Sequence, residues 1–541
     1  MARSFLANAL RLARFANRRG VPPADELVEM RRESALPGAR APWTRRSFLK
    51  TSSVATLALA SGSLLTSCAR TKGAPRVAVV GAGLTGLNAA YTLKKLGLRA
   101  EVYEASKRMG GRIYSAYDVM APGLFAELGG EWLNEGDDEA FSLVKELGLE
   151  INDLMAPGER DFLMSYYFEG TNYTDAQVME AIQPIVARME DDINTVEEAY
   201  RIEEEEDDWE KAVTLLSPLD NISIAEYLDR VGASGWPRAY LDVASSIGGA
   251  ETDQQSALTF IGSVSLEFPT FYLLDDGSER YKLVGGWQGA IRGLAERVEG
   301  QVKLGHRLEA VKSSGDGFTL TFEDPNGSAL DVEADFVIMA IPFSMLRDVE
   351  MRMEMPPGKK KAIDEIGYGV HTKLLAGVDK RVWREQGYAG ATYTDEPFRG
   401  MYDNSRMAGY EGDVGGLTFY LAGQASRDAE AGTAEEQVER LMPGAEKVFP
   451  GVSAEFNGKT HRFNWGAFPY AKGSYAVYKP GQWTTINGWE GEPVGNMLFA
   501  GDHCSEDYQG YINGAIETGR RTAERLAARL GKKASEKPQQ T

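Results

Sequence analysis

A chain of 541 residues, 43% of them hydrophobic, is long enough to bury a large core and to hold two to four domains. Its 79 Asp and Glu against 59 Lys and Arg leave a net charge of −20, which argues against a nucleic-acid partner and favours cationic small molecules wherever the charge lines an entrance. The only cysteines are Cys68 and Cys504, too few for a disulfide framework.

The first 70 residues read as a leader. Residues 2–19 are basic with amphipathic spacing, a pattern that suits anionic lipid, and are read here as the unstructured start of that leader. Thr44 to Lys50 spell TRRSFLK, and residues 54–65 are mildly apolar but too few for the roughly 20 of a membrane-spanning helix. The string resembles a twin-arginine export signal. That resemblance implies a folded cargo, the twin-arginine export machinery as a partner, and a bacterial periplasmic or outer-face location. Leu65, Thr66, Ser67 and Cys68 resemble a lipobox, which makes Cys68 a candidate lipid anchor. Loss of residues 1–67, with 11 Arg and Lys against 4 Asp and Glu, deepens the net charge from −20 to −27.

The folded part opens on RVAVVGAGLTGLNAAYTLKKLGLRAEVYEAS. Residues 76–80 predict a buried strand, and residues 84–96 a helix. Between them Gly81 permits a tight turn, Gly83 lets the backbone approach a pyrophosphate, and Gly86 allows close packing of helix on strand. Glu104 ends the next strand, where an acid accepts hydrogen bonds from a ribose diol. This much does not choose between two dinucleotides. Gly110, Gly111 and Arg112 do, because a second glycine turn after the ribose acid resembles the loop that flavoenzymes of the glutathione-reductase fold lay across FAD. The run AELGGEW, with Gly129 and Gly130, extends that resemblance.

Residues 141–266 read as helix-rich with few strand signals, and the acidic run 203–208 as an exposed helical stretch. Strand patterns return from residue 281, with Asp324 to Gly327 as a hairpin turn and residues 336–341 as a buried strand. Residues 342–489 predict a mixed sheet. A last strand, NMLFAG, and a helix starting near Gly510 close the nucleotide-binding part, and the tail from Lys532 reads as disordered.

From about residue 75 to 530 the chain resembles the flavin-containing amine oxidase family, which includes monoamine, polyamine and putrescine oxidases. The resemblance implies an α/β fold: a glutathione-reductase-like FAD-binding domain (75–125, 281–341 and 490–530) interleaved with a mixed-sheet plus helical substrate domain (126–280 and 342–489). It also implies hydride transfer from the carbon beside an amine nitrogen to the flavin, with molecular oxygen or a redox carrier taking the electrons. Lys373, in HTKLLAGV, sits where the family has a lysine that holds a water against the flavin. Trp465 precedes the Gly473-Ser474-Tyr475 unit. Several members carry at the position of Ser474 a cysteine that bonds the flavin, so serine implies non-covalent FAD. Tyr475 and Tyr511 match the two aromatic side chains that flank the amine. Gly501 and Asp502 match the pair that contacts FAD, and Tyr511, Ile512 and Asn513 open the helix facing it. His306, His371, His461 and His503 show no metal-ligand spacing, and no metal is expected. Two alternatives stay open: an L-amino-acid oxidase, although Glu131-Trp132-Leu133 replaces an arginine-bearing stretch, and a periplasmic amine dehydrogenase with an acceptor other than oxygen.

Overall fold

The computed structural model describes residues 10, 13, 14, 17, 74–159, 161–264, 279–407 and 410–532. The twin-arginine string, the apolar stretch after it, Cys68 and the tail beyond Lys532 lie outside the described residues.

Three buried valines, with Ala78 among them, make β1 (Val77–Val80). Gly83 then caps α1 (Leu84–Lys95), which lays Leu84, Leu87, Ala90 and Leu93 against the sheet, and β2 (Ala100–Glu104) runs parallel beside β1. The Gly129-Gly130 turn leads into β3 (Trp132–Leu133) and α2 (Asp138–Leu147). The supposedly helix-rich stretch holds a strand, β4 (Leu163–Phe168). Its hairpin turn is Glu169-Gly170, both at positive φ (51° and 76°), the geometry a tight two-residue hairpin requires.

The long helix α3 (Asp175–Arg201) follows, started by a capping box between Thr174 and Gln177. The acidic run after it is exposed and helical as read only as far as Glu206. The chain continues with wider turns only to Glu206, reverses at Asp207 (φ 53°), and uses Asp208 to cap the next helix through the Lys211 N–H at 3.0 Å. Then come β5 (Tyr281–Leu283), β6 (Val302–Leu304), β7 (Phe336–Met339), β8 (His371–Val378), β9 (Tyr388–Thr394), β10 (Gly400–Asp403), β11 (Gly415–Ala422), β12 (Phe456–Asn464), β13 (Met497–Phe499) and α4 (Ile512–Arg529).

Two sheets position the site. The first is parallel, in the order β6-β2-β1-β7-β13, and gathers strands from three distant stretches of chain. Helix α4 closes on α1: the Asn88 side chain donates to the Ile516 carbonyl at 2.8 Å, and a Cβ on Gly519 would stand 2.6 Å from the Thr85 carbonyl oxygen. The second sheet runs β12-β8-β11-β10-β9-β4, with Thr171–Tyr173 at the edge beyond β4, and is antiparallel except where β9 meets β4, Tyr393 opposite Tyr166. Its membership of β4 ties the helical layer to the 342–489 region.

The chain's start differs from its reading as unstructured. Residues 10, 13, 14 and 17 are helical, and Leu10 and Ala13 are buried in the apolar cluster built on α3.

Candidate functional site

One cavity runs from the C-terminal end of the parallel sheet to the face of the second sheet. At its first end two glycine turns lie against each other. The Gly110 N–H donates to the Ala82 carbonyl at 2.8 Å, Gly83 bridges to Gly110, and a Cβ on Gly111 would come within 3.2 Å of the Gly83 Cα. Gly81 (φ 103°) turns the chain here. Gly86 does not line the cavity; a Cβ on it would stand 1.9 Å from the Gly81 carbonyl oxygen, so its part is the close packing of α1 on β1. Glu104 braces the turn, accepting from the Ala82 and Ser106 N–H groups at 2.8 Å each, and its carboxylate lines the cavity.

Farther along, Arg112 pairs with Asp502, joining the loop after β2 to the loop after β13. Gly129, Gly130, Trp465, Gly501, Tyr511 and Ile512 line the same space. The Trp465 indole N–H donates to the Leu128 carbonyl at 2.7 Å and so fixes the Gly-Gly turn from below. His503 also lines the cavity. It is 1% exposed, neither ring nitrogen has a partner among the described residues, and burial pushes its pKa down to about 4, leaving one N–H and one lone pair to satisfy. Such an orphan is what a bound polar ligand resolves. With the doubled glycine turn and Glu104, the residues present fit an elongated dinucleotide.

The opposite wall comes from the second sheet. His371 and Lys373 sit two apart on β8, so both side chains reach the cavity face. Lys373 is 4% exposed, not a surface lysine. Its ammonium donates to the Glu127 carbonyl (2.8 Å), the Gly129 carbonyl (3.0 Å) and Glu131 Oε2 (2.8 Å). Three contacts engage its ammonium, which makes it a fixed charge on the cavity wall.

Glu131 was read in the sequence only as a missing arginine. It is a buried hub, with Lys282 at 2.7 Å, Lys373 at 2.8 Å and the Tyr402 hydroxyl donating at 2.6 Å. Burial pushes its carboxyl up, but the two ammonium groups outweigh that and hold it at about 2.

Tyr475 and Tyr511 both reach the cavity, joined there by Tyr402, Tyr420 and Trp132. The His371 ring stacks on Tyr420 (5.2 Å) and tilts against Tyr475 (5.1 Å), while its nitrogens meet the Ser474 and Ile247 carbonyl oxygens at 2.6 and 2.9 Å. Tyr402, Tyr420, His371 and Glu131 are the site residues that sequence reasoning missed. Alternation on β8 from Lys373 back to His371 was the one available signal.

Two residues of the C-terminal motif lie off the cavity wall. Asn513 is absent from the cavity wall; its side-chain oxygen accepts from the Ala140 N–H at 3.0 Å, because one step along α4 turns it toward α2. Cys504 points away too, its thiol donating to the Glu490 carbonyl at 3.2 Å and pushed up to about 12 by burial.

Beneath the wall, Glu127 accepts from the Trp287 N–H (2.6 Å) and the Ser115 hydroxyl (2.9 Å), and burial raises its carboxyl from 4.5 to about 7. The folded chain therefore keeps a proton that the unfolded chain loses across this interval. The group's contribution to stability is full below about pH 4.5 and lost as pH rises through about 7. Glu127→Gln should flatten the fall of Tm between these limits in thermal melts at stepped pH; an unchanged slope would refute the assignment.

The fold and site define a flavin-dependent amine oxidoreductase. The family model described as flavin containing amine oxidoreductase matches residues 84–527, and the chain belongs to that family. Pseudooxynicotine dehydrogenase of Pseudomonas sp is 24% identical over 460 residues, covering 84% of this chain and 86% of the relative. Flavin-containing amine oxidase B of Sus scrofa is 26% identical over 473 residues, with 84% and 86% covered. Among solved structures, cyclohexylamine oxidase from Brevibacterium oxydans IH-35A superposes with a TM-score of 0.72 at 21% identity, covering 85% of this chain and all of that one. Wild-type putrescine oxidase bound to putrescine gives 0.67 at 24%, covering 84% and 99%.

Proposed function

We propose that the chain is an exported, FAD-dependent amine oxidase acting on a primary or secondary amine. The observation that carries this is the convergence on one cavity of the doubled glycine turn, the buried Lys373 and the tyrosines at 475 and 511. FAD held there would supply the acceptor for a hydride from the carbon beside the amine nitrogen; oxygen would take the two electrons to give hydrogen peroxide, and water would hydrolyse the imine to an aldehyde and ammonia, or to an aldehyde and a primary amine where the substrate is secondary.

The chain's own residues set position and charge. Gly81, Gly83, Gly110 and Gly111 admit the pyrophosphate, Glu104 accepts from the ribose diol, and Arg112, Gly501, Asp502 and His503 line the stretch beyond. Tyr475 and Tyr511 guide the amine nitrogen with their π faces, and His371 and Tyr420 back Tyr475 so that it keeps one orientation. Lys373 and the N-terminus of α4 favour the negative charge that gathers on reduction.

Ser474 and the turned-away Cys504 leave no thiol in the cavity among the described residues, in keeping with non-covalent FAD. Acid precipitation should release all the flavin into the supernatant and leave the protein at its unmodified mass; flavin retained on the pellet would contradict this.

Amines are favoured over amino acids by where the arginines stand. Among the described residues those lining the cavity are Arg108, Arg112 and Arg307, all in the nucleotide-binding part and none on the second-sheet side. A carboxylate-binding site would call for an arginine there. Transfer to a carrier is the second reading, and a relative named as a dehydrogenase supports it. Peroxide yield per amine consumed separates the two: near one for the oxidase, near zero with fast reduction of an added dye for the dehydrogenase.

A further inference from the structure

Four described residues ahead of the twin-arginine string are docked, and their site is built from charged side chains. Residues 10, 13, 14 and 17 fall at i, i+3, i+4 and i+7, one helix face. Arg14 is fully buried. Its Nε donates to Glu190 Oε2 (2.9 Å), Nη1 to Glu197 Oε1 (2.6 Å), and Nη2 to Asn194 Oδ1 (3.0 Å), Glu190 Oε1 (3.1 Å) and Glu197 Oε2 (3.2 Å). Asn17 donates to the Gln183 carbonyl at 3.0 Å. Leu10 and Ala13 join the cluster that holds Ile182, Val186, Met189 and Ile193 of α3. Burying a guanidinium is costly unless its nitrogens are hydrogen-bonded and its charge countered, and here two carboxylates and an amide engage all three nitrogens.

We propose that this stripe of α3 is a binding site for a basic amphipathic helix and that its occupant is the chain's own N-terminal segment, held there as a latch ahead of the leader's export string. Glu190, Asn194 and Glu197 share one face only when α3 is helical, so the site exists only on the folded helical layer. The latch therefore makes the start of the leader a reporter of folding: it is tied down on a folded chain and loose on an unfolded one. The amphipathic pattern that suggested lipid is explained by an intramolecular partner.

Hydrogen exchange on the full-length, flavin-loaded protein tests this. Amides of residues 10, 13, 14 and 17 should exchange about 100-fold more slowly than free chain, with protection unchanged by phosphatidylglycerol vesicles. Arg14→Glu should abolish that protection while flavin absorption and protection of α4 stay as they were, and adding Glu190→Arg and Glu197→Arg to it should restore it. Free-chain exchange in the wild type, or an unaffected Arg14→Glu variant, would overturn the proposal. Loss of protection on adding vesicles would overturn it in favour of lipid as the occupant.

Discussion

Replacing Lys373 with methionine should slow reoxidation of the reduced enzyme by oxygen about 10²–10³-fold, the loss typical of one preorganised charge in a water-poor site. The lysine is almost wholly buried, and its ammonium is held by two carbonyl oxygens of the Glu127–Gly129 turn and by Glu131. A charge so fixed needs no rearrangement when negative charge arrives beside it, and methionine keeps the side chain's length without the charge. Anaerobic reduction by substrate should change less than about tenfold, since the tyrosines and the glycine turns are untouched. Stopped-flow mixing of reduced protein with oxygenated buffer reads the first step alone. Reoxidation within about twofold of wild type would remove the role given to Lys373. The related Glu131→Gln variant leaves Lys282 and Lys373 facing a neutral amide in a buried site, and chemical denaturation should show a loss of about 3–5 kcal/mol.

Gly129→Ala should yield no folded, flavin-loaded protein. A Cβ there would lie 1.8 Å from the Arg112 carbonyl oxygen, and 3.1 Å from the Trp465 ring on another face. Neither neighbour yields easily: Arg112 belongs to the glycine turn that its own side chain ties to Asp502, and Trp465 is locked to the Leu128 carbonyl. The clash therefore opens the contact between the two halves of the cavity, costing well over the ~4 kcal/mol that marks severe substitutions. Gly97→Ala is the control. It has φ 73° but nothing within 4 Å of an added Cβ, so only the backbone penalty of about 1 kcal/mol applies. Flavin content of the purified variants distinguishes the two; a flavin-replete Gly129→Ala protein would mean the turn is looser than its contacts imply.

What was legible in the sequence was what lies close together along it. The glycine turn, the helix after it and Glu104 fall within one short stretch, and their geometry follows from local rules. Tyr475 and Tyr511 were placed by resemblance, and both reach the cavity. Glu131 was not legible as a hub, because its partners come from β5, β8 and β10 and only the folded sheets bring them together. Asn513 lies off the cavity for the opposite reason: a motif read as a block ignores that each step along a helix turns the side chain by about 100°. Strand β4 carried a local signal, an aromatic run closed by Glu-Gly, that the surrounding helical periodicity obscured. At Arg14, an amphipathic pattern named the face but not what would cover it.

We propose that this cavity oxidises amines with a bound flavin. Anaerobic titration of the purified protein with aromatic monoamines, polyamines and L-amino acids, followed by the flavin's visible absorption, tests it most directly. Rapid bleaching by an amine class, with amino acids inert, is the predicted result. No bleaching by any amine, in protein shown to carry FAD, would contradict it.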